Sequence, residues 1–178
     1  MAKTIWALDP THSEVGFKIK HLMITNVSGS IGKFDATVQT EGEDFTTAEI
    51  SFTADVASIT TGNEQRDGHI QSPEFFDGAN FPQITFKGTG LSAPDANGNM
   101  VLTGDLTIRG VTRPEKFTVE HGGIAKDPWG NIKAGFSING KINRKDFGLV
   151  WNAATETGGL LVSEDVRLHA EIQFAKQA

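Results

Sequence analysis

The chain has 178 residues, of which 38% are apolar and 21% charged, and 16 Lys and Arg against 22 Asp and Glu give a net charge of −6. With 12 Phe and 3 Trp this is the composition of a folded globule, and its acidic balance argues against a protein built to neutralise nucleic-acid phosphates or to dock on an anionic membrane surface. The absence of cysteine removes disulfides, thiolate zinc sites, iron–sulfur clusters and cysteine nucleophiles.

The opening Met1-Ala2-Lys3-Thr4-Ile5-Trp6-Ala7-Leu8-Asp9-Pro10 has no apolar run of the kind a secretion signal needs. No stretch approaches the roughly 20 apolar residues of a membrane helix. Together these predict a soluble, cytoplasmic chain, unless its N-terminus has been replaced. Period-two alternation then dominates. Val15, Phe17 and Ile19 alternate with Glu14, Lys18 and Lys20. Phe34, Ala36 and Val38 follow, and Ala48, Ile50, Phe52, Ala54 and Val56 form a longer series. Asn63 to Ser72 reads as a short helix, weakened by Gly68. Beyond it come Ile84 and Phe86, then Leu102, Leu106 and Ile108. Gly110-Val111-Thr112-Arg113-Pro114 joins two strands closely enough for an antiparallel hairpin. Phe117 and Val119, then Ala134, Phe136, Ile138 and Ile142, and finally Val166, Leu168, Ala170, Ile172 and Phe174 complete the pattern.

About eight strands, each with one wet and one dry face, must stack as a sandwich or close as a barrel. Segments of about 9 to 11 residues span roughly 30 Å and favour the barrel. The predicted fold is all-β: an eight-stranded antiparallel barrel with a short helical lid, as one domain over residues 1–178. Phe17, Ile19, Phe34, Ile50, Phe52, Ile84 and Phe86 fall on inward phases, as do Leu106, Ile108, Phe117, Phe136, Ile138 and Leu168. They fit either a packed core or a tube lined for an elongated apolar molecule.

Catalytic signals are weak. No nucleophile elbow, phosphate loop, dinucleotide fingerprint or zinc-protease motif occurs. His12 and Ser13 could pair as base and nucleophile, but Ser13 fits better as a backbone-bonding residue at a strand start. The five histidines are too scattered for a metal site. His169 falls on a wet face, whereas His21 and His121 keep the dry phase, where a barrel rim lies. Arg66-Asp67-Gly68-His69 is the best polar cluster, able to meet an anion or simply to pin its own loop. No catalytic residue, metal or cofactor is expected.

The order of short motifs is more specific. Trp6-Ala7-Leu8-Asp9-Pro10-Thr11-His12-Ser13, then Phe17 and Lys20-His21-Leu22, resembles the opening of the YceI-like family of lipid-binding proteins. Thr61-Gly62-Asn63, Arg66-Asp67-Gly68-His69, Phe75-Phe76-Asp77 and Phe81-Pro82 continue the likeness. So do Gly104 to Arg113, Arg144-Lys145-Asp146-Phe147-Gly148, Trp151 and Asp165-Val166. The resemblance implies a lipocalin-like barrel whose pore holds a long isoprenoid, such as a polyprenyl phosphate, quinone or phenol, or a similar lipid. It implies a binding or carrier role without catalysis, counts Trp151 with the pore lining, and points to a homodimer. His21, Arg66, Asp67 and His69 match family positions. As rim ligands, Arg66 would meet the head group, and Asp67 would orient Arg66.

Overall fold

Strand segments of the computed structural model, which describes residues 3–22, 24–152 and 162–177, all join one antiparallel sheet. In chain order these are β1 (Lys3–Leu8), β2 (Glu14–His21), β3 (Thr25–Ile31), β4 (Phe34–Glu41), β5 (Asp44–Asp55) and β6 (Ile59–Thr60). One helix, α1 (Glu64–Gln71), separates them from β7 (Gln83–Leu91), β8 (Asn99–Ile108), β9 (Val111–Lys126), β10 (Ile132–Asn143) and β11 (Val162–Lys176).

Three pairs of segments are single staves with a break. β1 and β2 both pair with β11, interrupted at Asp9–Ser13. β3 and β4 pair with β2 and β1 in turn, and β5 and β6 pair with β4 and β3. Taken so, eight staves follow chain order, and pairing of the first with β11 closes the barrel. This is the predicted barrel, not the sandwich.

Backbone groups freed at the breaks find partners across them. Gly32 N donates to Ser58 O at 3.1 Å, and Asp55 N to Lys33 O at 2.9 Å. At the first break the Asp9 carboxylate accepts from Thr11 and from Lys133 Nζ at 2.7 Å. His12 Nδ1 lies 2.9 Å from Asp9, and Ser13 Oγ bonds the backbone of Gln173. His12 and Ser13 therefore have separate partners, not each other.

Alternation places the dry faces inward. In β8, Met100, Leu102, Leu106 and Ile108 are buried while Val101 and Asp105 are exposed. The β8–β9 hairpin turns on Arg109 and Gly110, both at positive φ (52° and 73°), as a two-residue hairpin turn of matching twist requires. α1 occupies the predicted segment, capped by the Asn63 side chain on Arg66 N at 2.9 Å. Among the described residues no helix is long and apolar enough to cross a membrane.

Candidate functional site

One end of the barrel is plugged. Trp6 is fully buried and donates Nε1–H to Thr40 Oγ1 at 2.9 Å. Its ring lies 5.0 Å from Phe45, which meets Phe136 edge-on at 4.9 Å. His121 stacks on Phe136 at 4.5 Å, and burial holds its imidazole below the ordinary histidine range.

Above this plug lies a cavity of about 830 Å³. Its wall includes Phe17, Ile50, Phe52, Ile138, Val166 and Leu168, which face inward yet are only half-buried. A close-packed core would cover such side chains completely. Their remaining exposure is to the lumen, so the barrel is hollow where alternation alone left core and tube open.

Glycines keep the lumen wide. Gly29, Gly104 and Gly140 occupy inward positions beneath the rings of Phe17, Phe86 and Phe117 on neighbouring strands. A Cβ at any of the three would overlap the ring, and one at Gly88 would lie 2.8 Å from Ile50 Cβ. The rings thus lie against the wall over bare backbone.

The other end is polar and is covered by α1. Among the described residues no Asp or Glu lines the cavity, whereas Lys20, His21, Arg66, His69, Arg144 and His169 do. Arg66 donates to Thr61 Oγ1 at 2.7 Å and to Thr61 O at 3.0 Å. His69 pairs with Glu74 and packs edge-on against Phe75 and Trp151, at 4.9 and 4.8 Å. Arg144 is 2% exposed and donates to the carbonyls of Ser163, Leu149, Trp151 and Val162. All four acceptors are neutral, and among the described residues no carboxylate pairs with the buried charge.

Of the residues expected to line the pore, Ile19, Ile84, Phe86, Leu106, Ile108, Phe117, Phe136 and Trp151 border this cavity with those named above. Phe34 does not. It packs on Phe52 at 6.0 Å beside the break at Gly32 and Lys33. At the rim His21, Arg66 and His69 border the cavity, and Asp67 stands outside it. Asp67 accepts from Thr61 N and from the hydroxyls of Thr60 and Thr61, which hold it below the usual carboxylate range. Arg66 and Asp67 are therefore anchored separately on Thr61, and no hydrogen bond joins them. His169 is exposed and bonded to Asn139 at 2.6 Å, although it also borders the cavity.

Sequence reasoning missed Phe45, the inward glycines and the role of Arg144. Phe45 was hidden by a register shift between Gln39 and Glu41, which changes the phase of the alternation. Arg144 was marked only as part of a family motif, and its burial was not read because a charged residue at a strand end reads as exposed.

The sequence matches the YceI-like domain over residues 6–174. The chain belongs to the YceI-like family. The UPF0312 protein SAS2572 of Staphylococcus aureus (strain MSSA476) is 39% identical over 173 residues, 97% of this chain and 98% of that one. The crystal structure of the Campylobacter jejuni YCEI protein superposes with a TM-score of 0.76 at 36% identity, covering 96% of this YceI-like chain and 97% of that one. A polyisoprenoid binding domain from Saccharophagus degradans shares the fold at 14% identity, with a TM-score of 0.67 over 97% and 98% of the two chains.

Proposed function

We propose that this YceI-like protein is a non-catalytic carrier holding one long isoprenoid-type lipid, tail in the barrel and head at the α1 end. The observation that carries this reading is the hollow apolar lumen, bordered by half-buried Phe17, Phe52 and Ile138. At about 30 Å³ per water-sized group, the cavity offers room for on the order of thirty such groups. Each buried methylene contributes about 0.8 kcal/mol, so ten contribute about 8 kcal/mol before ordering costs. Flat rings over glycine suit a branched chain that needs width. The name of the Saccharophagus degradans domain supplies the ligand class. Arg66, His69 and His21 are the head-group contacts in this reading, with Arg66 offering charge-assisted hydrogen bonds to a phosphate or quinone oxygen. The side chains first weighed for acid–base chemistry have structural partners, Asp9 for His12 and Glu74 for His69.

Ile138→Asp tests this. A carboxylate against the tail must be desolvated or protonated, which opposes binding, while in an empty hollow barrel water can solvate it. Lipid extracted per chain is expected to fall about tenfold or more, with a smaller effect on melting. Unfolding, or a lower melting temperature at unchanged lipid content, would contradict the reading.

A further inference from the structure

The β2–β3 hairpin stands on the rim of the cavity. His21 at its end borders the lumen and pairs with Val162, and Val162 exchanges hydrogen bonds with Asn152. Beside this junction the rim exposes apolar side chains: Ile24 is 77% exposed, Val150 60% and Leu22 40%. Leu22 also sits at φ 54°, a left-handed conformation that a branched side chain rarely adopts.

Charge on the adjoining wall is equally unusual. From Val15 to Ile31 the hairpin carries Lys18 and Lys20 and no carboxylate. Lys18 faces Arg167 directly across β2 and β11, and Arg167 faces Lys141 across β11 and β10. Like charges opposite one another destabilise a sheet. Lys141 has Asp165 at 3.6 Å, but Lys18, Lys20 and Arg167 have no ion pair among the described residues. The nearby Glu164 is engaged by Lys145 at 2.8 Å. α1, which covers the mouth, carries Glu64 and Asp67 as well as Arg66 and His69, so its charges are mixed where the hairpin's are basic. The overall charge of −6 argues against anionic-membrane docking for the molecule as a whole, and only this local concentration runs the other way.

We propose that this end of the barrel docks on an anionic lipid bilayer. Leu22, Ile24 and Val150 enter the interface, the row of Lys18, Lys20 and Arg167 meets the headgroups, and the mouth opens onto the membrane from which its lipid comes. Apolar side chains flanked by cations are the usual means of interfacial binding, and each Lys or Arg near an anionic surface adds to it. The net negative charge of the rest of the molecule then keeps this end, and no other, against the bilayer. The inference rests on the cavity holding a membrane lipid.

Sedimentation with vesicles tests it, using phosphatidylcholine alone or mixed with phosphatidylglycerol. The wild-type chain is expected to sediment with the mixed vesicles and far less with phosphatidylcholine alone. Leu22→Asp with Ile24→Asp, and separately Lys18→Glu with Arg167→Glu, each lower the bound fraction about tenfold. Trp129→Ala removes an apolar side chain 83% exposed in the turn between β9 and β10, at the plugged end, and leaves binding unchanged. Ile24→Asp alone, with a smaller loss, serves if a double variant does not fold. Wild-type protein that ignores mixed vesicles, or tip variants that bind as well as wild type, overturn the docking. If Ile24→Asp instead splits a dimer and vesicles are ignored, the hairpin is a subunit interface and the proposal falls. Extracted lipid is measured on the same samples. A chain that keeps its lipid but ignores vesicles defeats only the docking, whereas a chain without lipid defeats the carrier reading.

Discussion

A methyl group at Gly140 would overlap the Phe117 ring, so this glycine sets the position of a side chain on another strand. Glycine in a strand interior costs about 0.5–1 kcal/mol in chain entropy relative to alanine. Here that cost is offset by a wider lumen. Gly140→Ala must move the ring towards the cavity axis or strain the wall, and overpacking of this kind costs about 1–3 kcal/mol. The melting temperature of the empty protein is expected to fall by roughly 2–9 °C, and lipid content with it. Adding Phe117→Leu should restore both in part. Unchanged melting and lipid content in Gly140→Ala would show that the ring does not need the glycine. In the sequence such glycines read only as weak points of a strand, because their reason lies one strand away.

The breaks in the staves are the element-scale feature with a measurable consequence. Asp9 holds the first break, its carboxyl kept well below the usual carboxylate range chiefly by the hydrogen bond from Lys133. The side chains of Asp9 and Lys133 are only 11% and 18% exposed, so the pair is poorly screened. The folded value lies below the unfolded one, near 3.9. The stability contributed by ionised Asp9 is therefore present above about pH 4 and lost as pH falls towards the folded value. Asp9→Asn is expected to lower the melting temperature at pH 7 by roughly 2–8 °C and to flatten its decline below about pH 4. A variant with the same melting curve and acid profile as wild type would remove Asp9 from the account.

Strand alternation was legible wherever an inward position carried a bulky side chain, and it failed where the barrel put something else there. The segments read as Val15–Lys20, Ala48–Val56 and Val166–Phe174 became β2, β5 and β11. β3 was not recognised, because its inward residues are Val27, Gly29 and Ile31 and Gly29 lies under Phe17. β1 is short and its stave is cut at Asp9, which hid its continuity with β2. The eight-strand estimate agrees with eight staves because each unrecognised segment continues a recognised one.

At the scale of the molecule, alternation places a face inward without saying whether the interior is filled. Phe17, Ile50 and Ile138 would give the same pattern in a packed core, and their half-buried state is visible only once the staves close. Net charge had the same blind spot: −6 for the whole chain conceals a cavity mouth lined by Arg66, His69 and Arg144 and, among the described residues, by no carboxylate. Of the rim residues, Arg66 and His69 were legible as a polar cluster in the segment read as a short helix, whereas the placement of Asp67 outside the cavity depends on Thr60 and Thr61. The central claim is that the hollow is occupied by a lipid. Native mass spectrometry of the purified full chain, followed by organic extraction, measures this directly. The account predicts a mass above that of the bare chain by one long prenyl-tailed lipid per barrel, lost on denaturation and recovered in the organic phase. A chain at its bare mass, folded and unable to take up an added long-chain polyprenyl phosphate or quinone, would contradict it.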